Sequence, residues 1–240
     1  MTAPPVWVVE LAERFWSAAG PPPPFPRDLT RAVTDAVPLG IVARPNLSFR
    51  TVIGYLSRSG LPVPVREPDR PLRAALYCWR GSGFVFLDAA DPPAEQRFSL
   101  AHELAHFLRD CDDLRRRLVR ALGPAALEVL DGLRSATADE RIAAVLRTLS
   151  LGPHVHLMSR DAAGRPAGDA ERDAEDRADQ LAFELLAPAS ELVGETTSAA
   201  LAARLESAFG LPADAARTYA DQLLPADPHD PLLARIRKFC

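Results

Sequence analysis

Five consecutive residues, His102-Glu103-Leu104-Ala105-His106, carry the most specific chemistry in the chain. Histidines four apart lie about one turn apart on one helical face, so both imidazoles can reach a single metal ion. Glu103 adjoins the first histidine and is placed to hold a water beside that ion. Zinc lowers the pKa of such a water, and a neighbouring carboxylate takes its proton as the oxygen attacks a carbonyl. The order His-Glu-x-x-His is thus what metal-assisted hydrolysis requires, with His102 and His106 as ligands and Glu103 as general base.

A hydrolytic metal needs a third protein ligand and an open position. Glu171, Asp173, Glu175, Asp176 and Asp179 are the acidic candidates downstream. Ala178, Leu181, Ala182 and Leu185 recur three or four apart and form a buried helical stripe. Glu175 precedes Ala178 by three and Ala182 by seven, so it continues that stripe; Asp179 lies on nearly the same face, while Asp176 and Glu184 point elsewhere. Acids in a first helical turn also suit the helix dipole without any metal. Beside a histidine pair, however, Glu175 is the expected third ligand. His154 and His156 alternate on a short predicted strand and share one face. They are candidates for a second metal pair, or for a donor that steadies the oxyanion formed on attack. Tyr77 is a weaker candidate for the second role.

Apolar spacing predicts helices over 6–19, 28–37, 47–59, 95–108, 115–133, 139–149, 175–186, 191–209 and 213–224. Pro21 to Pro24 and Pro26 form a stiff linker after the first. The segments 74–79 and 84–88 are apolar and flank Gly81-Ser82-Gly83, which predicts a hairpin. Residues 61–65 are proline-broken and make an edge strand at best. A short strand is expected over 152–158 and a polar loop over 161–173. The predicted fold class is α+β: a small antiparallel sheet packed on the His102–His106 helix, with a largely helical remainder. The strand 84–88, just before that helix, is a candidate edge on which an extended substrate could pair.

The run Arg97-Phe98-Ser99-Leu100-Ala101-His102-Glu103-Leu104-Ala105-His106 resembles the core of the ImmA/IrrE family of zinc metallopeptidases. Members typically show Arg-Phe-Thr/Ser-Leu-Ala-His-Glu-Leu-Gly/Ala-His after a short strand. A second family string, Glu-x-x-Ala-Asn-x-x-Ala-x-x-Leu-Leu-Met-Pro, corresponds here to residues 175–188, from Glu175 through Ala178, Asp179, Ala182, Leu185 and Leu186 to Pro188. The resemblance covers residues 47–106 and 175–224. It implies that Glu175 is the third ligand, the residue that the helix-face argument also selects. It implies zinc as cofactor, with manganese or another divalent ion as the alternative. It further implies a regulatory endopeptidase that cuts a protein substrate such as a helix-turn-helix repressor, in a stress response that controls transcription. Asp179 stands where asparagine is usual and Ala187 where methionine is usual; 68 residues separate His106 from Glu175, a longer segment than the family's. The expected organisation is an N-terminal helical, proline-rich extension (1–45), a metallopeptidase domain (46–224) with a helical insertion over about 109–174, and a tail (225–240).

Composition bounds these readings. With 240 residues, 48% hydrophobic side chains and a net charge of −4, the chain can bury a core and is not a disordered polymer. No apolar run reaches the ~18–20 residues of a membrane span, and Glu10 and Glu13 interrupt the first apolar stretch, so neither a membrane partner nor a secretory signal is expected. Cys78, Cys111 and Cys240 follow no motif spacing; a disulfide framework is not expected and a cytoplasmic location is. Arg115, Arg116, Arg117 and Arg120 read as a solvated helix face paired with Asp110, Asp112 and Asp113, so direct nucleic-acid binding is not expected. Two rival readings stand beside the peptidase. One is a metal-bound sensor or binding module with weak hydrolysis; the other is a DNA-binding regulator that uses the fold as scaffold.

Overall fold

The computed structural model describes residues 2–63, 67–138, 140, 153–159 and 168–225. Along the chain run α1 (Val6–Ala19), α2 (Leu29–Ala36), β1 (Leu39–Arg44), α3 (Phe49–Arg58), β2 (Leu72–Trp79), β3 (Ser82–Asp88), α4 (Pro93–His106), a π-helical turn (Phe107–Asp113), α5 (Leu114–Leu122), α6 (Ala126–Leu130), β4 (His154–Ser159), α7 (Asp169–Leu186), α8 (Ser198–Ser207) and α9 (Ala213–Leu223). Apart from residue 140, the expected helix over 139–149 lies outside the described residues, as do the loop residues 161–167 and the tail beyond 225.

Local chemistry accounts for most of the starts. Asp28 caps α2 by accepting from the Thr30 backbone N–H. Ser48 and Thr51 cap each other's backbone at the start of α3. Pro93 opens α4 at a position where a missing N–H costs nothing. The β2–β3 hairpin turns on Arg80 and Gly81, both at positive φ (52° and 80°), as a two-residue turn compatible with strand twist requires. The turn is therefore tighter than the Gly81-Ser82-Gly83 loop expected, and Ser82 and Gly83 belong to β3. At the other end of the chain, α7 begins at Asp169, so 169–173 are helical instead of loop; Asp169 and Glu171 sit in its first turn, where the helix dipole favours acids. Residues 61–63 form no strand.

The four strands lie in the order β1-β3-β2-β4. β2 pairs antiparallel with β3 and with β4, and β1 pairs parallel with β3. The fold is α+β as expected, but the sheet is mixed. A crossover through α3 and β2 separates β1 from β3, which allows parallel pairing. β3 is paired on both sides, so it cannot serve as the substrate edge; among the described residues, β1 and β4 are the edges.

The sheet divides two apolar layers. On one face Leu47, Phe49, Val52 and Leu56 pack on Ala75, Tyr77 and Phe86. On the other, Ala74, Leu76, Val85 and Leu87 meet Leu100, Ala101, Leu104 and Ala105 of α4, and the core continues through α7, α8 and α9. Val8, Leu11, Phe15, Trp16, Leu29 and Val33 are buried in that same core. Residues 1–45, read from sequence as an extension, thus supply two packed helices and a strand of the sheet. Leu104 is fully buried between the two halves of the metal motif. Its replacement by alanine is expected to cost about 2–5 kcal/mol, read as a lower urea midpoint with unchanged slope.

Candidate metal centre

α4 carries His102, Glu103 and His106 into the interior, where they are 3%, 0% and 3% exposed. α7 packs across α4 and brings Glu175 to the same point. The Glu175 carboxylate lies 3.2 Å from His102 Nε2 through Oε2, and 3.5 Å from His106 Nε2 through Oε1. The two Nε2 atoms are 3.2 Å apart. β4 adds His156, whose Nε2 is 3.1 Å from Glu175 Oε1. Ligand atoms of His102, His106, His156 and Glu175 all fall within 4.8 Å of one another.

The partners of the far ring nitrogens define the protonation. His102 Nδ1 donates to Asp179 at 2.8 Å and His106 Nδ1 donates to Asp110 at 3.1 Å. With Nδ1 carrying the proton, both Nε2 atoms present lone pairs to one shared point, joined there by the Glu175 oxygens. Lone pairs this close repel unless a positive charge lies among them. Tetrahedral zinc with bonds of ~2.0–2.1 Å sets its ligands about 3.3–3.4 Å apart, close to the separations here. The donor set therefore fits a divalent metal. Protons can meet the same need. Burial opposes charge on His102, yet hydrogen bonds to Asp179 and Glu175 raise its pKa to about 9. Burial likewise opposes charge on His156, but the Glu103 carboxylate and hydrogen bonds to Glu103 and Glu175 raise it to about 10. Glu175 is held well below the usual carboxylate range: burial works against its charge, and hydrogen bonds from the three imidazoles outweigh it.

Braces around the cluster tie α4 to α7. Arg109 grips both oxygens of Asp110 at 2.8 and 2.7 Å and also donates to the Ala174 carbonyl at 2.9 Å. One side chain thus links the carboxylate behind His106 to the residue before Glu175. The π-helical turn that carries Arg109 and Asp110 continues α4 directly, a widening often found at functional sites. Asp179, the departure from the family's asparagine, gives His102 a charged acceptor. Asp179→Ala is expected to weaken metal affinity about 10–100-fold, measured by competition with a chromogenic chelator, with Asp179→Asn in between.

Sequence reasoning left the strand histidines open, and the fold separates them. The alternating pair does face α4, since His156 and His154 stand opposite Leu76 and Cys78 of β2. His156 Nδ1 donates to Glu103 Oε2 at 2.8 Å, so both its nitrogens are engaged by carboxylates. His154 is not in the cluster; its Nε2 is buried without a partner among the described residues. Tyr77 points to the opposite face of the sheet and donates to the Pro62 carbonyl at 3.1 Å, so it has no place at this centre. The nearest hint of His156 in sequence is its alternation with His154; nothing local fixes its distance from α4. Glu171, Asp173 and Asp176 are not in the cluster either.

A sequence model of the IrrE N-terminal-like domain, the Peptidase_M78 family, matches residues 63–124. No curated protein matches the chain significantly. The matched span runs from before β2 to just past α5 and contains His102, Glu103 and His106; the tertiary structure adds His156 and Glu175 from outside it. Over this segment the chain is similar to the IrrE N-terminal-like peptidase domain, which supports the resemblance to the ImmA/IrrE family.

Proposed function

We propose that this protein is a zinc-dependent endopeptidase with His102, His106 and Glu175 as metal ligands and Glu103 as general base. The observation that carries the reading is the state of Glu103. Its carboxylate is fully buried; Oε2 is held by His156, and Oε1 is buried with no partner among the described residues. An acceptor oxygen left free beside three metal-ligating groups is what a base for a reacting water needs.

The ion supplies polarisation of a water and of the scissile carbonyl. Glu103 Oε1 takes the water's proton and later delivers it to the leaving amine. His156 acts through Glu103, fixing the plane of the carboxylate as a positioning residue. The side chains of Glu175 and Asp179 are 31% and 34% exposed, whereas those of His102 and His106 are 4% and 3% exposed, so substrate enters from the α7 side. β4 carries His156 and has a free edge among the described residues, so an extended substrate strand pairs there by backbone hydrogen bonds.

The substrate in this proposal is a protein, with helix-turn-helix repressors as the class implied by the family resemblance. A DNA-binding role finds less support, because Arg115, Arg116 and Arg117 are each paired with an acid in place. Arg115 pairs with Asp131, Arg116 with Asp112 at 2.8 Å and Arg117 with Asp113 at 3.1 Å. The test is incubation of the zinc-loaded protein with purified helix-turn-helix repressors. Single-site cleavage that stops on chelation and returns with zinc supports the proposal. A fully loaded protein that binds a repressor without cutting it favours the binding-module reading.

A further inference from the structure

Cys78 on β2 and Cys111 in the π-helical turn are both buried, both reduced, and 6% and 5% exposed. They stand 33 positions apart in sequence, yet β2 meets the π-helical turn and both side chains belong to one apolar core, close enough for each thiol to bias the ionisation of the other. Both also line one cavity of about 430 Å³, together with Arg80, Arg115, Arg117 and Pro153. A small oxidant that enters this cavity meets both side chains. The pair is poised asymmetrically. The Cys111 thiol and, against the effect of burial, the nearby Arg115 guanidinium favour the Cys78 thiolate. The nearby Cys78 sulfur, together with burial, keeps Cys111 protonated.

We propose that Cys78 and Cys111 form a peroxide-sensitive dithiol whose oxidation to a disulfide loosens the metal centre. The Cys78 sulfur attacks one oxygen of a hydroperoxide; the O–O bond breaks, water or the alcohol leaves, and Cys78 becomes a sulfenic acid. The Cys111 sulfur then attacks Cys78, the S–O bond breaks, and a second water departs with the thiol proton. Two sulfurs lose two electrons and the peroxide gains them.

The link to the metal is structural. Cys111 directly follows Asp110, the carboxylate behind His106. Cys78 stands opposite His154 on β4, two residues from His156. A disulfide needs a sulfur separation of ~2.05 Å and a fixed dihedral, so closing it draws the π-helical turn toward β2 and shifts Asp110. This coupling rests on the reading of His102 and His106 as ligands; formation of the disulfide does not.

The experiment uses the full chain with Cys240→Ser, loaded with zinc and exposed to hydrogen peroxide near equivalence. The expected result is loss of both thiols, a protein two hydrogens lighter, and a peptide joining Cys78 to Cys111. The zinc dissociation constant is expected to rise about 10-fold and to recover on reduction, as for loss of a partner behind a ligand. In Cys111→Ser, a dimedone adduct should appear on Cys78 and no disulfide should form. Thiols that stay reduced, or that oxidise separately to sulfinic acids, overturn the proposal. A disulfide that leaves zinc affinity unchanged overturns the coupling. Zinc content measured before oxidation tells failure of the metal reading from failure of the dithiol, because the thiol count and the linked peptide are read independently. If Cys111→Ser does not fold, the linked peptide in the protein with its native pair still decides.

Discussion

Glu103→Gln is expected to lose about 10³-fold in peptide-bond hydrolysis while keeping its metal and its fold. General-base catalysis contributes ~10²–10⁴-fold, and the amide cannot accept the proton. The substitution is otherwise mild. An amide oxygen can still accept from His156 Nδ1, the bond that Glu103 makes at 2.8 Å. Volume is unchanged, so the packing of this fully buried residue survives. Cleavage rates and metal content, measured on the same preparation, separate a lost base from a lost ion. Wild-type cleavage by the variant would remove Glu103 from the chemistry. Slow cleavage with lost metal would make it a structural support.

The second large effect concerns which groups hold the metal. Glu175→Ala is expected to reduce bound zinc from one equivalent to a small fraction, whereas His156→Ala is expected to keep it and to lose activity. The distinction follows from coordination. A catalytic zinc has three protein ligands and an open position; four protein ligands close the site and make it structural. Four groups converge here, so one of them must serve another purpose if the centre is hydrolytic. His156 is the one tied to Glu103 as well as to Glu175. Its removal frees the base and slows the reaction through kcat. Elemental analysis after dialysis reads the outcome. Metal lost equally in both variants would mean a closed four-ligand site and would defeat the peptidase proposal.

Local features of this fold follow from residue spacing. His102 and His106 meet because residues four apart share a helical face, wherever that helix lies. Asp110 reaches His106 by the same spacing. The hairpin follows from two apolar runs and a short glycine-bearing turn, and the buried stripe of α7 orients Glu175 relative to Ala178 and Ala182. Of the arginine run, Arg116 and Arg117 find the expected acids four residues away, whereas Arg115 pairs with Asp131 and Asp110 turns to Arg109 and His106. Contacts that join distant elements arise instead from packing. β1 was invisible as a strand because its six residues are stabilised by pairing with β3 across α3 and β2, not by any local signal. That pairing made β3 internal and left β4 as an edge. The register of β4 on β2 sent His156 to Glu103, while the alternation of β2 turned Tyr77 to the far face. Asp179 behind His102 and Cys111 against Cys78 depend likewise on how α7 crosses α4 and how the π-helical turn meets the sheet. Helical spacing is fixed by backbone hydrogen bonds within one segment, whereas these contacts depend on apolar burial shared among segments. Residue spacing within one segment does not encode them.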